Sequence, residues 1–288
     1  MANARTIVVT GASTGIGRAC VARAARGGAH VFAAVRKDGD GASLKQEFGD
    51  AVTSLIMDVC DEAAISAAAR TVGDHLNGAK LAGLVNNAGI AVSGPLELLD
   101  ASELRRQFET NLFGLHAVTR AFLPLLGTDE ARTGAPGRIV MMSSVGGKSG
   151  SPFVGPYAAS KHALEGYSQS LRRELMLFGI KVVVVAPGAV ATPIWDKADR
   201  EADFSRFDKT PYGPAGRAIA AYMLELGRKG LPAAAIGDVV WRGLTAEKPR
   251  QRYTVLRGKF MNYDLPRLLP PETVDNIIAR RLGLSPRR

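Results

Sequence analysis

The chain has 288 residues, 46% hydrophobic and 22% charged, with a formal net charge of +10. That length can bury a large core without cross-links, and the balance excludes general disorder. Two isolated cysteines, Cys20 and Cys60, exclude a disulfide scaffold and a cysteine-ligated zinc site.

The longest uncharged runs are broken by Gly, Pro or Asn, so no stretch offers the roughly 18 apolar residues of a membrane span. The N-terminus passes quickly into Thr6-Ile7-Val8-Val9-Thr10 and glycines, which does not read as a secretory leader. A cytoplasmic setting is therefore expected, and two free thiols suit a reducing compartment. His30, His75, His116 and His162 lack metal-ligand spacing, so no metal is expected.

In chain order, short β-branched runs fall at 6–9, 30–35, 52–57, 81–85, 138–142 and 180–185. Stretches with helical spacing lie between them, at 16–26, 62–76, 101–126 and 157–178. Val182-Val183-Val184-Val185 is apolar at every position, as a parallel strand covered on both faces requires. Six strand–helix repeats predict a doubly wound α/β sheet in one domain. Residues 253–255 predict a seventh strand. Two segments break the rhythm, 192–214 and everything past Gly258. Thirteen Lys/Arg against five Asp/Glu place +8 of the charge between Arg228 and Arg288. A solvated basic surface is the preferred reading, with nucleic acid or an anionic membrane as the less favoured partners.

Chemistry enters at the ends of the predicted strands. Gly11, Gly15 and Gly17 follow the first strand and open the first helix, where glycine allows a tight turn close to a pyrophosphate. The helix N-terminus then offers free N–H groups to that phosphate. The spacing by itself is a weak signal; the strand before and the helix after carry it. The second strand ends at Arg36-Lys37, and a guanidinium there suits the 2′-phosphate of NADP better than an acid would suit NAD. Asp38 could still turn inward. Asp58, after the third strand, is read as an acceptor for the adenine amine or as a helix cap.

Tyr157 and Lys161 are spaced by four residues and share one helix face. An ammonium beside a phenol favours the phenolate, which predicts a lowered tyrosine pKa and a general acid or base. Ser144 ends the fifth strand, Asn86-Asn87-Ala88-Gly89 ends the fourth, and Asn111 sits within a predicted helix, a poor place for asparagine. In doubly wound sheets such positions meet along the carboxyl edge.

This set resembles the short-chain dehydrogenase/reductase family over about residues 5–195, and within it the hydroxysteroid and retinol dehydrogenase branch. The resemblance implies a Rossmann-type fold and hydride transfer to or from a nicotinamide. It implies Tyr157 as acid/base, Ser144 on the substrate oxygen, Lys161 on the nicotinamide ribose and Asn111 holding a relay water. The implied NADP site comprises Gly11, Ser13, Thr14, Gly15, Ile16, Gly17, Arg36, Asp58, Val59, Asn87, Ala88, Gly89, Tyr157, Lys161, Pro187, Gly188, Val190 and Thr192. A homodimer or homotetramer built through the fourth and fifth helices is also implied. Segment 192–214 corresponds to the family's substrate lid, and its Trp195, Phe204, Phe207 and Tyr212 suggest a bulky apolar alcohol or ketone, or else packing of the lid onto the body. Trp195 is the lid residue expected to touch substrate. The alternatives are a reductase of small ketones or 3-oxoacyl thioesters, and a cofactor-sensing binding protein. The apolar residues past Gly258 are expected to pack rather than to meet a membrane.

Overall fold

The computed structural model describes residues 5–192 and 204–285. Seven strands form one parallel sheet: β1 (Thr6–Thr10), β2 (His30–Val35), β3 (Val52–Ile56), β4 (Gly83–Asn86), β5 (Arg138–Met142), β6 (Lys181–Pro187) and, skipping two short strands, β9 (Arg252–Val255). Their spatial order is β3-β2-β1-β4-β5-β6-β9, so the winding reverses between β1 and β4. β7 (Val190–Ala191) and β8 (Leu231–Pro232) pair separately.

Alternation along the strands creates two cores. Val8, Phe32, Leu84, Ile139, Met141, Val182 and Val184 face one side. There they pack on α3 (Glu62–Leu76), α5 (Leu115–Leu123) and α6 (Gly155–Glu174). Ile7, Val9, Val31, Val85, Val140, Val183 and Val185 face the other side. They pack on α1 (Gly15–Arg26), α2 (Asp38–Phe48) and, near the chain end, α8 (Ala233–Thr245). Both faces being covered explains why these strands carry no polar side. Helix α2 was not visible as a periodic pattern, because Gly39, Gly41 and four charged residues dilute its apolar face. Gly41 is needed there: a Cβ would lie 2.8 Å from Ser54.

The predicted helix 101–126 is not uniform. α4 (Ala101–Phe108), opened by an Asp100–Glu103 capping box, gives way to a π-helical turn, Glu109–Gly114, before α5 begins. The widened turn passes against the loop that follows β3, where a Cβ on Gly114 would sit 3.0 Å from the Val59 carbonyl carbon. Such bulges mark places where helical regularity yields to a local demand.

After β7 the described chain resumes in a short turn, Phe204–Phe207, followed by α7 (Gly213–Arg228). Beyond β9 a π-helical turn, Phe260–Asp264, leads to α9 (Pro271–Leu282), whose Leu282 and Ile278 join Ala215, Ile219 and Phe153 in a third small core. The expected packing of this extension is half met. Tyr263 is buried, while Phe260, Met261 and Leu268 are exposed. Among the described residues no helix is long and apolar enough to cross a membrane.

Candidate active site

The carboxyl ends of β1, β4, β5 and β6 bring the sequence-predicted residues to one edge, beside the winding reversal where such sheets bind ligands. Gly11 has φ +62°, and a Cβ on it would lie 2.9 Å from the Ala88 Cα. A Cβ on Gly17 would overlap the Gly11 carbonyl oxygen. Gly15 lies against Thr192, its would-be Cβ 3.3 Å from the threonine Cβ. Thr14 caps α1 with extended backbone and no side-chain bond, and the first helical turn carries no acid. Its N–H groups and positive end therefore meet no built-in anion.

β4 is tied to this turn. The Asn87 amide donates to the carbonyl oxygens of Thr10 and Gly11, at 2.9 and 3.1 Å. The Thr10 hydroxyl accepts from the backbone N–H of Asn87 and of Ala88, each at 3.0 Å. A cradle in which no side chain fits, facing an unneutralised helix N-terminus, matches the pyrophosphate of a dinucleotide. Arg36 stands exposed just past β2, and Asp38 lies exposed in the first turn of α2. Asp58 accepts from the Cys60 N–H, whereas the cap of α3 is Asp61. The capping alternative for Asp58 is thus taken by a neighbour. Val190 is buried in β7, and Gly188 lies against Leu256, where a Cβ would sit 2.7 Å from the leucine Cβ.

Across the edge, Ser144 and Tyr157 converge on Gly146. A Cβ there would lie 3.5 Å from both the Ser144 Oγ and the Tyr157 Cε1. The Ser144 Oγ accepts from the Gly146 N–H at 3.1 Å. Tyr157 is half-buried. That burial raises its pKa, and a hydrogen bond with Ser144 pulls it part of the way back. The lowered phenol expected from Lys161 is therefore not what this geometry produces; desolvation outweighs the distant ammonium. The Lys161 Nζ is 5.7 Å from the ring centroid and donates to the Met142 carbonyl at 2.8 Å. Burial brings the lysine down to about 8, with Glu165 opposing the shift.

Asn111 is fully committed to the protein. Its Oδ1 accepts from the Ile90 N–H at 2.9 Å, and its Nδ2 donates to the Ile90 carbonyl and the Ser160 Oγ, each at 3.1 Å. A relay water on this residue would have to use its main chain or the second lone pair of Oδ1, since both side-chain donors are occupied. Gln107, one turn earlier, repeats the device: it accepts from the Val92 N–H at 2.7 Å and donates to the Ile90 carbonyl at 2.9 Å. The segment after β4 is thereby stitched to α6 through Ser160.

Of the lid aromatics, Phe207 is buried and Tyr212 donates to Glu97 at 2.7 Å, with its ring edge-on to Phe153 at 6.1 Å. Trp195 and the side chain of Phe204 lie outside the described residues. The two that are described pack this segment onto the body. Arg206 adds an ion pair to Glu103 at 2.9 Å. Sequence reasoning missed Phe153, a buried non-glycine residue at φ +64° four positions before Tyr157. Its carbonyl accepts from the Gly94 N–H at 2.7 Å. Nothing in the local sequence marks a left-handed phenylalanine.

A doubly wound nucleotide-binding sheet with a tyrosine, a serine and a lysine gathered at its switch edge is the framework of a dehydrogenase. Residues 5–203 match the family model described as short chain dehydrogenase. The chain is 35% identical over 279 residues to the NADPH-dependent 3-dehydrocapnine reductase of Ornithobacterium rhinotracheale, covering 96% of this chain and 97% of that one. It is 32% identical over 266 residues to retinol dehydrogenase 16 of Mus musculus, covering 86% and 79%. A short-chain dehydrogenase structure from Streptomyces avermitilis superposes with a TM-score of 0.76 at 27% identity, covering 97% and 96%. The chain belongs to the short-chain dehydrogenase/reductase family and is an oxidoreductase acting on alcohol- and ketone-type groups.

Proposed function

We propose that the protein is an NADP-dependent oxidoreductase that interconverts a secondary alcohol and a ketone on a bulky apolar substrate, with Tyr157 moving the proton. The observation that carries this reading is the convergence of Ser144 and Tyr157 on Gly146, on the same sheet edge as the glycine turn. NADP as the cofactor rests on the exposed Arg36 at the end of β2 and on the NADPH-dependent relative.

A nicotinamide held at this edge would supply or accept the hydride. The residues do the rest. Ser144 donates its hydroxyl hydrogen to the substrate oxygen and fixes its place. The Tyr157 hydroxyl gives that oxygen its proton in reduction and takes it back in oxidation. A phenol raised by burial stays protonated at neutral pH, the form that donates in reduction. Lys161, as an ammonium, steadies the phenolate left behind and binds the ribose. Segment 192–214 is read as the lid, with Phe207 and Tyr212 fastening its described part to the body. The retinol dehydrogenase relative supports a large apolar substrate.

The test is oxidation of NADPH and of NADH over ketones graded from small to steroid-sized. Turnover should rise with apolar bulk, prefer NADPH, and fall by about a thousandfold in Tyr157→Phe, within the range for a lost acid/base group. Tyrosine-independent turnover would end the mechanism. Turnover confined to small ketones or thioesters would keep the mechanism and end the bulky-substrate reading.

A further inference from the structure

A buried charge cluster lies directly behind the catalytic face of α6. Glu165 is one helical turn past Lys161 and only 3% exposed. Its carboxylate accepts from the Ser143 hydroxyl at 2.7 Å and, on both oxygens, from the Arg252 Nε at 3.1 Å. Arg252 opens β9, where its Nη1 also bonds the Thr254 hydroxyl. Its guanidinium stands 5.8 Å from the ring centroid of the buried Tyr263, so the C-terminal extension backs the pair. Gly147 makes room for the cluster: a Cβ there would lie 2.8 Å from the Ser143 Oγ and 3.0 Å from the Glu165 Cγ and the Lys161 carbonyl oxygen.

We propose that Glu165, clasped by Ser143 and Arg252, is a positioning residue for Lys161: it keeps the buried lysine an ammonium aimed at the Met142 carbonyl, and so makes β9 part of the active site. This rests on the reading of Lys161 as a cofactor and catalytic residue. The titratable and charged groups facing Lys161 are Tyr157 and Glu165 on its own helix, with Arg252 of β9 beyond the carboxylate; β5 presents the Met142 carbonyl. Among these Glu165 is the one carboxyl group. An ammonium buried beside a phenol and a carbonyl, with no carboxylate, gives up its proton far more readily. Burial already brings Lys161 to about 8 against the pull of Glu165. The adjacent serines thus divide the work, Ser144 facing the substrate and Ser143 holding the carboxylate.

The test is the pH dependence of NADPH affinity, read by fluorescence titration from about pH 6 to about pH 10, together with the pH profile of turnover. Binding should be lost as Lys161 deprotonates, giving the wild-type protein an alkaline limb near its lysine pKa. Glu165→Gln keeps the shape and removes the charge. Its limb should move about one pH unit lower, so that affinity falls about fivefold at pH 8 and about tenfold by pH 9, while affinity near pH 6 is nearly unchanged. Glu165→Asp, which restores the charge, should return the limb towards the wild-type position. If Glu165→Gln does not fold, because Arg252 is left buried and unpaired, Glu165→Gln/Arg252→Met removes both charges; its limb should still move lower, but by less, because the arginine's repulsion of the ammonium is removed together with the carboxylate's attraction. A limb that stays at the wild-type pH, with only the melting temperature lowered, would show that the pair merely clamps β9 to α6 and would overturn the proposal. Failure of the underlying reading looks different: wild-type protein would then bind NADPH with no alkaline limb, or bind neither NADPH nor NADH at any pH, and the proposal would fall with it.

Discussion

Around the glycine turn, geometry is enforced by atoms that are missing. Gly11 and Gly17 bring backbone against backbone so closely that no Cβ fits, and the N-terminus of α1 is left without a side-chain cap or an acid. Along α6 the opposite holds. Lys161, Glu165, Ser143 and Asn111 are buried polar groups, each placed by bonds to a different element. The first region prepares a place for an anion; the second stores a charge out of water. The first is intolerant of added volume, the second of removed partners. Buried polar groups are costly unless paired, so the second region trades stability for chemistry.

Gly17→Ala would break the first region most severely. The added methyl overlaps a main-chain oxygen that cannot swing aside, so the turn must move. We expect a loss of stability of about 3 kcal/mol or more, at the upper end for overpacking, with NADPH binding abolished. Thermal unfolding and cofactor titration check it; an alanine variant with normal affinity would mean the turn is softer than its contacts imply.

Lys161→Met sharpens the contrast from the other side. The lysine sits at about 8 in the folded protein against 10.5 when unfolded. A depressed lysine opposes folding in full below pH 8, and that opposition fades as pH rises from 8 to 10.5. Removing it should therefore raise stability at neutral pH, by at most about 3 kcal/mol, while turnover is lost. The gain should shrink in melts taken at progressively higher pH. A variant destabilised at pH 7 would show that the bond to Met142 and the attraction to Glu165 outweigh the desolvation.

Arg36→Gln is expected to have the smallest effect. Arg36 is exposed, so its phosphate contact is screened by solvent. We expect preference for NADPH over NADH to fall by about tenfold, with NADH affinity unchanged and stability unaffected, the scale of one charge-assisted hydrogen bond. An unaltered preference would assign the 2′-phosphate to another cation, Lys37 being the nearest in sequence.

How much was legible follows the same divide. The central strands could be read because parallel strands covered on both faces are apolar along nearly their whole length, a pattern that needs no partner to be seen; the edge strands β3 and β9, which carry Thr53, Ser54, Arg252 and Thr254, could be read only from their β-branched and aromatic residues. The glycine turn, Asn87, Ser144, Tyr157 and Lys161 could be read because each is an unusual residue type at a fixed offset from a strand end. Helix α2 was hidden because its glycines serve a neighbour, Ser54, rather than its own helix. The π turn at Asn111 was hidden because it answers to the close approach of Val59, in the loop after β3.

The sequence by itself determined the class of fold, the sheet edge where ligands gather, and the residue types available there, since period and spacing are local properties of the chain. Only the tertiary structure decided the electrostatics. Tyr157 and Lys161 are four residues apart in any helix, which suggests a lowered phenol. Burial reverses that direction, and the carboxylate that matters to Lys161 is held by an arginine 87 residues further along the chain. Desolvation and long-range pairing depend on what the fold packs around a group, and no local pattern carries that information.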